Sequence, residues 1–384
     1  MTLPASHRQS VTARLEPGGV TAFEQKLWNK LAGDDNPFVC HEFLSALETS
    51  GSATAAAGWQ PLPIIADDDD SNPVGVMPAY AKSHSQGEYV FDHSWADAYA
   101  RAGGRYFPKL QIAVPFTPVP GPRILTNDDD VASALISAAE SLVAQHGLSS
   151  AHATFLDARD VARFERAGWL IRSGTQFHWA NDGYTCFDDF LNALASRKRK
   201  AIRKERAGAQ EGLEIVRLSG ADITEAHWDA FWYFYQDTGS RKWGRPYLTR
   251  AAFSEMGATM ADKLMLILAL RDGKPIAGAL NFIGGHALYG RYWGCREDVP
   301  FLHFEICYYQ AIEAAIELGL STVEAGAQGE HKLARGYVPI TTWSAHYIAD
   351  PGFRHAIRDF LVRERQAVER EVEFLGEMAP FKKG

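Results

Sequence analysis

A chain of 384 residues is longer than one ordinary hydrophobic core supports, so two domains of about 180 residues each are expected. A composition of 46% hydrophobic and 22% charged residues excludes disordered and fibrous classes, and no window approaches the roughly 20 apolar residues that span a bilayer. The net charge of −8 excludes bulk attraction to polyanions. The scattered Cys40, Cys186, Cys295 and Cys307 form no CxxC pair, which argues against a zinc knuckle and suits a reducing compartment. With no basic flank and apolar run after Met1, no signal peptide is read, and a cytoplasmic protein is expected.

In chain order, spacing predicts helices over residues 23–31 and 41–48, separated by the break Asn36-Pro37-Phe38. Runs 62–66 and 74–81 read as a hairpin around an acidic turn, Asp67 to Asp70 followed by Ser71-Asn72-Pro73. Residues 89–91 read as a strand and 95–102 as a helix. The stretch 111–119 is apolar but proline-punctuated, and so is expected as an edge strand or extended loop. A helix over 131–146, preceded by a second acidic turn at Asp128 to Asp130, and a strand over 151–156 complete the first half.

The second half opens with a helix over 187–206, a strand over 214–218 and an aromatic-rich helix over 225–238. Runs 264–270 and 276–283 flank Asp272-Gly273, a strong hairpin signal. A strand over 287–293, a helix over 303–318, strands over 322–325 and 343–348, and a charged helix over 354–375 follow. Both halves read helices, hairpin, strand, helix, strand. The order predicts a duplicated α+β unit divided near Asn181-Asp182-Gly183, with domains 1–180 and 181–384 and the site in the second.

Candidate chemistry concentrates in that second unit. Strand alternation places Tyr289, Arg291 and Trp293 on one face and Leu288 and Tyr292 on the other. Arg291 between two aromatics suits a bound carboxylate or phosphate; equally it suits a buried pair with Glu305 or Glu324. On a helical wheel Glu305 shares a face with Ile312 and Ile316, beside Phe304, Tyr308 and Ala315. That position fits a general base whose pKa is raised by burial, or a carboxylate answering the first-turn N–H groups. His303 falls on the polar side, as a surface or capping residue or a ligand contact. The loop from Gly326 to Gly336 holds Gln328, Glu330, His331, Lys332 and Arg335 beside glycines that permit close approach of a ligand; the alternative is a tight turn with exposed charge. His303, Glu305 and His331 lack metal-ligand spacing, so no metal is expected.

Against the acidic background, Arg197-Lys198-Arg199-Lys200 with Arg203, Lys204 and Arg206 forms a basic helix. It is either a solvated face or a contact for RNA or lipid-linked phosphate, which Lys242-Trp243-Gly244-Arg245 would extend.

The order hairpin, strand, helix, strand resembles the acyl-CoA N-acyltransferase (GNAT-like) fold, and its duplication resembles the Fem-type peptidoglycan aminoacyltransferases. The strings Asn36-Pro37-Phe38, Trp95-Ala96-Asp97-Ala98-Tyr99, Pro115-Phe116-Thr117-Pro118, Gly121-Pro122-Arg123, Tyr289-Gly290-Arg291-Tyr292-Trp293-Gly294 and Gly326-Ala327-Gln328-Gly329-Glu330-His331-Lys332 resemble the Fem-like family of peptidoglycan biosynthesis and recognition. The likeness runs from about Leu15 to Lys382.

The resemblance implies tandem GNAT-like domains, each a mixed β-sheet flanked by helices. It implies an N-acyltransferase moving an aminoacyl or peptidyl-type group onto a small-molecule or peptide amine. The implied acyl donor and partner is aminoacyl-tRNA, with acyl-CoA as the alternative and no other cofactor. Acetyl-CoA users carry an Arg/Gln-x-x-Gly-x-Gly/Ala turn after the fourth strand. The corresponding Gly294 to Phe301 stretch has one glycine, two carboxylates and Pro300, which removes a donor N–H and adds repulsion.

On this reading Glu305, His331 and Lys332 are catalytic. Tyr289, Arg291, Trp293, His303, Tyr308, Glu324, Gln328, Glu330 and Arg335 bind substrate, and Arg197, Lys198, Lys200, Arg203 and Lys204 bind a polyanion. Two alternatives stand beside it: a non-catalytic recognition protein for a cell-wall precursor or nucleic acid, and an enzyme using a CoA thioester.

Overall fold

A computed structural model describes residues 11–242, 246–326 and 329–382. The strands in chain order are β1 (Thr12–Leu15), β2 (Trp59–Pro61), β3 (Ile64–Asp67), β4 (Pro73–Met77), β5 (Ala79–Lys82), β6 (Lys109–Ile112) and β7 (Ser150–Leu156). They continue with β8 (Leu170–Ala180), β9 (Glu214–Ser219), β10 (Leu264–Arg271), β11 (Lys274–Ile283), β12 (Ala287–Cys295), β13 (Thr322–Glu324) and β14 (Val338–Ile348). The order β1-β3-β4 makes a small sheet. The order β2-β5-β6-β7-β14-β8-β13-β12-β11-β10-β9 makes one continuous sheet of 11 strands.

Local chemistry accounts for much of this. The β10–β11 hairpin turns at Asp272-Gly273, where both residues adopt positive φ (50° and 73°), as a tight turn between twisted strands requires. Leu264 to Ala269 of β10 are all buried because helices cover both faces of the sheet, so the strand reads as a continuous apolar run. Residues 62–66 and 74–81 do form a hairpin, β3–β4, although β4 stops at Met77 and β5 joins the large sheet instead.

In each half an antiparallel pair leads to a parallel pair: β5–β6 to β6–β7, and β11–β12 to β12–β13. The next strand then comes from the other half. β14 pairs with β7, β8 pairs with β13, and β8 and β14 pair with each other along 9 residues. The expected element order lacks β8. Ile171, Ser173, Phe177 and Trp179 fall on one buried face of it, interrupted by Gly174 and Thr175, and the pattern becomes meaningful only beside its two neighbours.

Other expectations shift. Residues 89–91 are not a strand. They lie in a loop held by a buried ion cluster in which Lys109 Nζ donates to Glu88 at 2.7 Å and Asp92 at 2.5 Å. β6 is an interior strand and not an edge, because its pairing ends at Ile112, before the first proline at 115. The basic helix is separate (Ser196–Ala209), and the helix before it is Phe187–Ala193. The later helix runs over 302–317 with one wide, π-type turn at Glu305–Tyr309.

One glycine is fixed by space. A side-chain carbon at Gly294 would sit 2.1 Å from the Phe234 carbonyl oxygen, and backbone cannot yield as a side chain does. Gly294→Ala is therefore expected to cost about 2–3 kcal/mol through forced separation of β12 from the helix Glu225–Lys242. Urea denaturation of the variant checks it, and an unchanged midpoint would refute it.

Candidate functional site

The parallel strands β12 and β13 pair only from Ala287↔Thr322 to Tyr289↔Glu324 and then part. Between them opens a cleft of about 480 Å³, walled by Asn281, Arg291, Tyr292 and Trp293 from the sheet, His303, Cys307 and Tyr308 from the helix 302–317, and Gly329 and His331 from the glycine loop. Three segments distant in sequence thus supply one concavity. The wide turn at 305–309 brings Tyr308 to the side of His303 and Cys307, where a regular 3.6-residue helix would turn a residue five positions on away from His303.

The alternation expected along β12 fails at one residue. Asn281 pairs with Gly290 and Leu280 with Tyr292, so Arg291 is an extra, bulged residue. Tyr289 and Tyr292 consequently share one core, while Leu288 and Trp293 face the other. Tyr289 is buried against Phe38 and does not accompany Arg291 and Trp293. The bulge turns Arg291 into the seam between the halves, where its Nη2 donates to the Phe116 carbonyl at 2.8 Å.

Glu305 sits elsewhere. It is fully buried, and its carboxylate accepts from Arg206 Nε at 3.1 Å and Nη2 at 3.0 Å, from Gln210 at 2.8 Å and from Gln310 at 2.8 Å. It ties the basic helix to the helix 302–317, forms no pair with Arg291, and does not line the cleft. Both sequence readings of Glu305, general base and first-turn carboxylate, missed this partner, because Arg206 lies 99 residues away.

His303 stands edge-on to Trp293 with ring centres 4.9 Å apart and forms cleft wall rather than open surface. His331 Nε2 lies 2.8 Å from the Tyr308 hydroxyl. Gly329, at φ 120°, makes room for that imidazole, since a side-chain carbon there would stand 2.5 Å from the ring. Lys332 points inward. It is 1% exposed, its Nζ donates to the Gly326 carbonyl at 2.8 Å, and burial, helped by Arg291, lowers its pKa to about 7. Arg335 lies 3.3 Å over the Phe304 ring and donates to the His331 carbonyl at 2.7 Å and to Glu205 at 3.0 Å, so it fastens the loop. Gln328 lies outside the described residues, as do Trp243, Gly244 and Arg245, and the side chain of Glu330 is not described either.

Glu324, at the point of parting, is buried with Oε2 lacking a hydrogen-bond partner and 3.7 Å from His178 Nε2. Burial raises its pKa to about 8 against the pull of Arg291 and Arg123. The folded protein then holds this proton to higher pH than the unfolded chain does. Its contribution to stability is full below about pH 4.5, falls as pH rises toward 8, and is constant above. Glu324→Gln is expected to flatten the loss of melting temperature across that window; parallel curves for variant and parent would refute the assignment.

The first half reaches this site through Phe116, which accepts from Arg291, and through His178, which lies beside Glu324. Gln176 donates to the Pro118 carbonyl at 2.9 Å and lies 3.2 Å from His178 Nε2. Sequence reading missed Gln176 and His178, which sit two residues apart on β8; recognising that strand would have exposed them. On the basic helix, Arg197, Lys198, Lys200, Arg203 and Lys204 are exposed, and Arg203 pairs with Asp188 at 3.0 Å. Among the described residues no His, Cys, Asp and Glu group could hold a metal ion, and no helix is long and apolar enough to cross a membrane.

A family model described as FemAB-like, peptidoglycan biosynthesis/recognition, matches residues 19–383. Among solved structures, FemX superposes with a TM-score of 0.55 at 11% identity, covering 88% of this chain and 98% of that one. L-PGS from Bacillus licheniformis gives 0.50 at 10%, covering 86% and 98%. A conserved protein of unknown function from Bacteroides thetaiotaomicron gives 0.50 at 10%, covering 87% and 99%. No curated protein matches the sequence. The structural likenesses establish the fold: tandem GNAT-like α+β units.

Proposed function

Because the chain belongs to the FemAB-like family of peptidoglycan biosynthesis/recognition, we propose that it is an N-acyltransferase that moves an aminoacyl-type group onto an amine in the β12–β13 cleft. The observation that carries this reading is the Tyr308–His331 pair on the wall of a cleft that Arg291 also lines. The amine nitrogen attacks the acyl carbonyl carbon of an ester donor. A C–N bond forms, the C–O ester bond breaks, the amine proton passes to His331, and the departing alkoxide takes a proton back. Arg291 holds negative charge on the donor or on the developing oxyanion. Lys332 and Arg335 act on position, fixing the loop that carries His331. Glu305 anchors the basic helix.

Aminoacyl-tRNA is the favoured donor. The turn after β12 supports this, because Glu297 there pairs with Arg271 at 3.0 Å, Asp298 adds a second carboxylate and Pro300 lacks an N–H, a poor cradle for pyrophosphate. The basic helix supplies the polyanion contact. Filter binding of charged tRNA across a salt series tests it. The affinity should fall steeply with salt, and the slope of log K against log salt should shrink by roughly 2 when Arg197, Lys200 and Lys204 are changed to Gln. Salt-independent binding, or turnover with acyl-CoA alone, would remove this donor.

A further inference from the structure

Phe301 opens the helix 302–317 from the left-handed region, at φ 65° and ψ −3°, and its carbonyl accepts from the Glu305 N–H at 3.0 Å. Glycine takes such a backbone freely, whereas a bulky side chain there is an outlier, kept only where another demand overrides it. The core makes no such demand. Phe301 is 43% exposed, and among the described residues it stacks on no other ring and joins no apolar core. A Cβ at Gly208 would stand 3.9 Å from Phe301 Cδ2, an ordinary contact distance, so the ring flanks the C-terminal end of the basic helix Ser196–Ala209. At roughly 100° per residue, Arg197, Lys200, Lys204 and Gly208 fall within an arc of about 80° on that helix. All four are exposed, and none of the three cations has an acidic partner among the described residues. Arg203 and Arg206, by contrast, pair with Asp188 and Glu305. A positive stripe about 17 Å long thus leads to a ring with an open face. Two residues past that ring, His303 lines the cleft.

We propose that Phe301 is a stacking platform for the unpaired terminal base of an RNA donor whose phosphates follow Arg197, Lys200 and Lys204; this assignment rests on the aminoacyl-tRNA reading above. A flat ring with an open face suits a base of any identity, because every base offers a π-face. Cations in one line suit the phosphates that precede that base. Stacking there sets the terminal ribose, which carries the ester, beside the helix turn that holds His303 against the cleft. The strand reaches the ring from the helix side. On the loop side Asp298, three residues before the ring, is exposed and repels phosphate, while Glu297 is held by Arg271 at 3.0 Å. That acidic flank also disfavours a flat anionic membrane, which would meet both sides of the ring at once.

The test compares the affinity of the full chain for intact uncharged tRNA and for the same tRNA lacking its 3′-terminal nucleotide, each across a salt series. The intact form should bind roughly tenfold more tightly. Phe301→Leu keeps an apolar side chain without a π-face and should erase the preference; Phe301→Trp should retain it. Stacking is not ionic, so Phe301→Leu should leave the slope of log K against log salt unchanged, unlike loss of the three cations. Melting curves confirm that each variant is folded. Equal affinity of the parent for the two tRNAs, or a preference that survives Phe301→Leu in a folded protein, would overturn the platform. Phe301-dependent binding to vesicles of anionic phospholipid, with no binding of tRNA, would overturn it as well. A preference erased by Phe301→Leu in a protein that transfers no aminoacyl group from charged tRNA would retain the platform and remove the acyltransferase reading instead.

Discussion

His331→Ala is expected to lower kcat for acyl transfer by about 10²–10⁴-fold near neutral pH while leaving the substrate KM nearly unchanged. The imidazole lies at the cleft wall, 2.8 Å from the Tyr308 hydroxyl, on a loop that burial fixes from behind through Lys332 and Arg335. Loss of a proton acceptor matters most where the attacking amine is still protonated. The deficit should therefore narrow as pH approaches about 10, near the ordinary pKa of an alkyl amine. Tyr308→Phe keeps the ring and removes the hydroxyl, and should cost far less. Lys332→Met retains the volume of the side chain and loses the bond to Gly326. It should reduce kcat by loosening the loop, without producing the same recovery at high pH. A His331→Ala enzyme with unaltered kcat at neutral pH would eliminate His331 as the base.

Glu305→Ala is expected to destabilise the fold by about 3–5 kcal/mol, because it leaves the Arg206 guanidinium half-enclosed with one carboxylate fewer and strands two glutamine amides. Breaking a buried pair costs more than the pair itself contributes, since the surviving charge has already lost its water. Removing both charges together should recover most of the loss. In Glu305→Gln with Arg206→Met, the neutral amide oxygen still accepts from Gln210 and Gln310. Guanidinium denaturation measures the stability, and the transfer assay run on the double variant decides the role. A folded double variant with parental activity fits an anchoring carboxylate. A folded but inactive one would return Glu305 to the chemistry.

Where the sequence was legible, the signals were local. Asp272-Gly273 announced a hairpin, apolar spacing announced most helices, and the strings around Gly290 and Gly326 announced the family that the chain matches over residues 19–383. The cleft residues Arg291, Trp293, His303, Tyr308 and His331 were also named from local density of aromatic and titratable groups, and they line one concavity. Failures arose where a residue's partner was remote. Glu305 was placed on the buried face by helix periodicity, and it is buried, but the partner that fixes its role, Arg206, lies 99 residues away and no local pattern recorded it. Tyr289 was placed with Arg291 by simple alternation, which one bulged residue reversed.

The sequence by itself determined most of the helices and strands and the family they compose, because propensity, turn chemistry and periodicity act over a few residues. Only the tertiary structure decided that β8 and β14 would cross between the halves and that β12 and β13 would part after Glu324. Those outcomes depend on hydrogen bonding and burial between residues tens to hundreds of positions apart, where no local pattern records the partner.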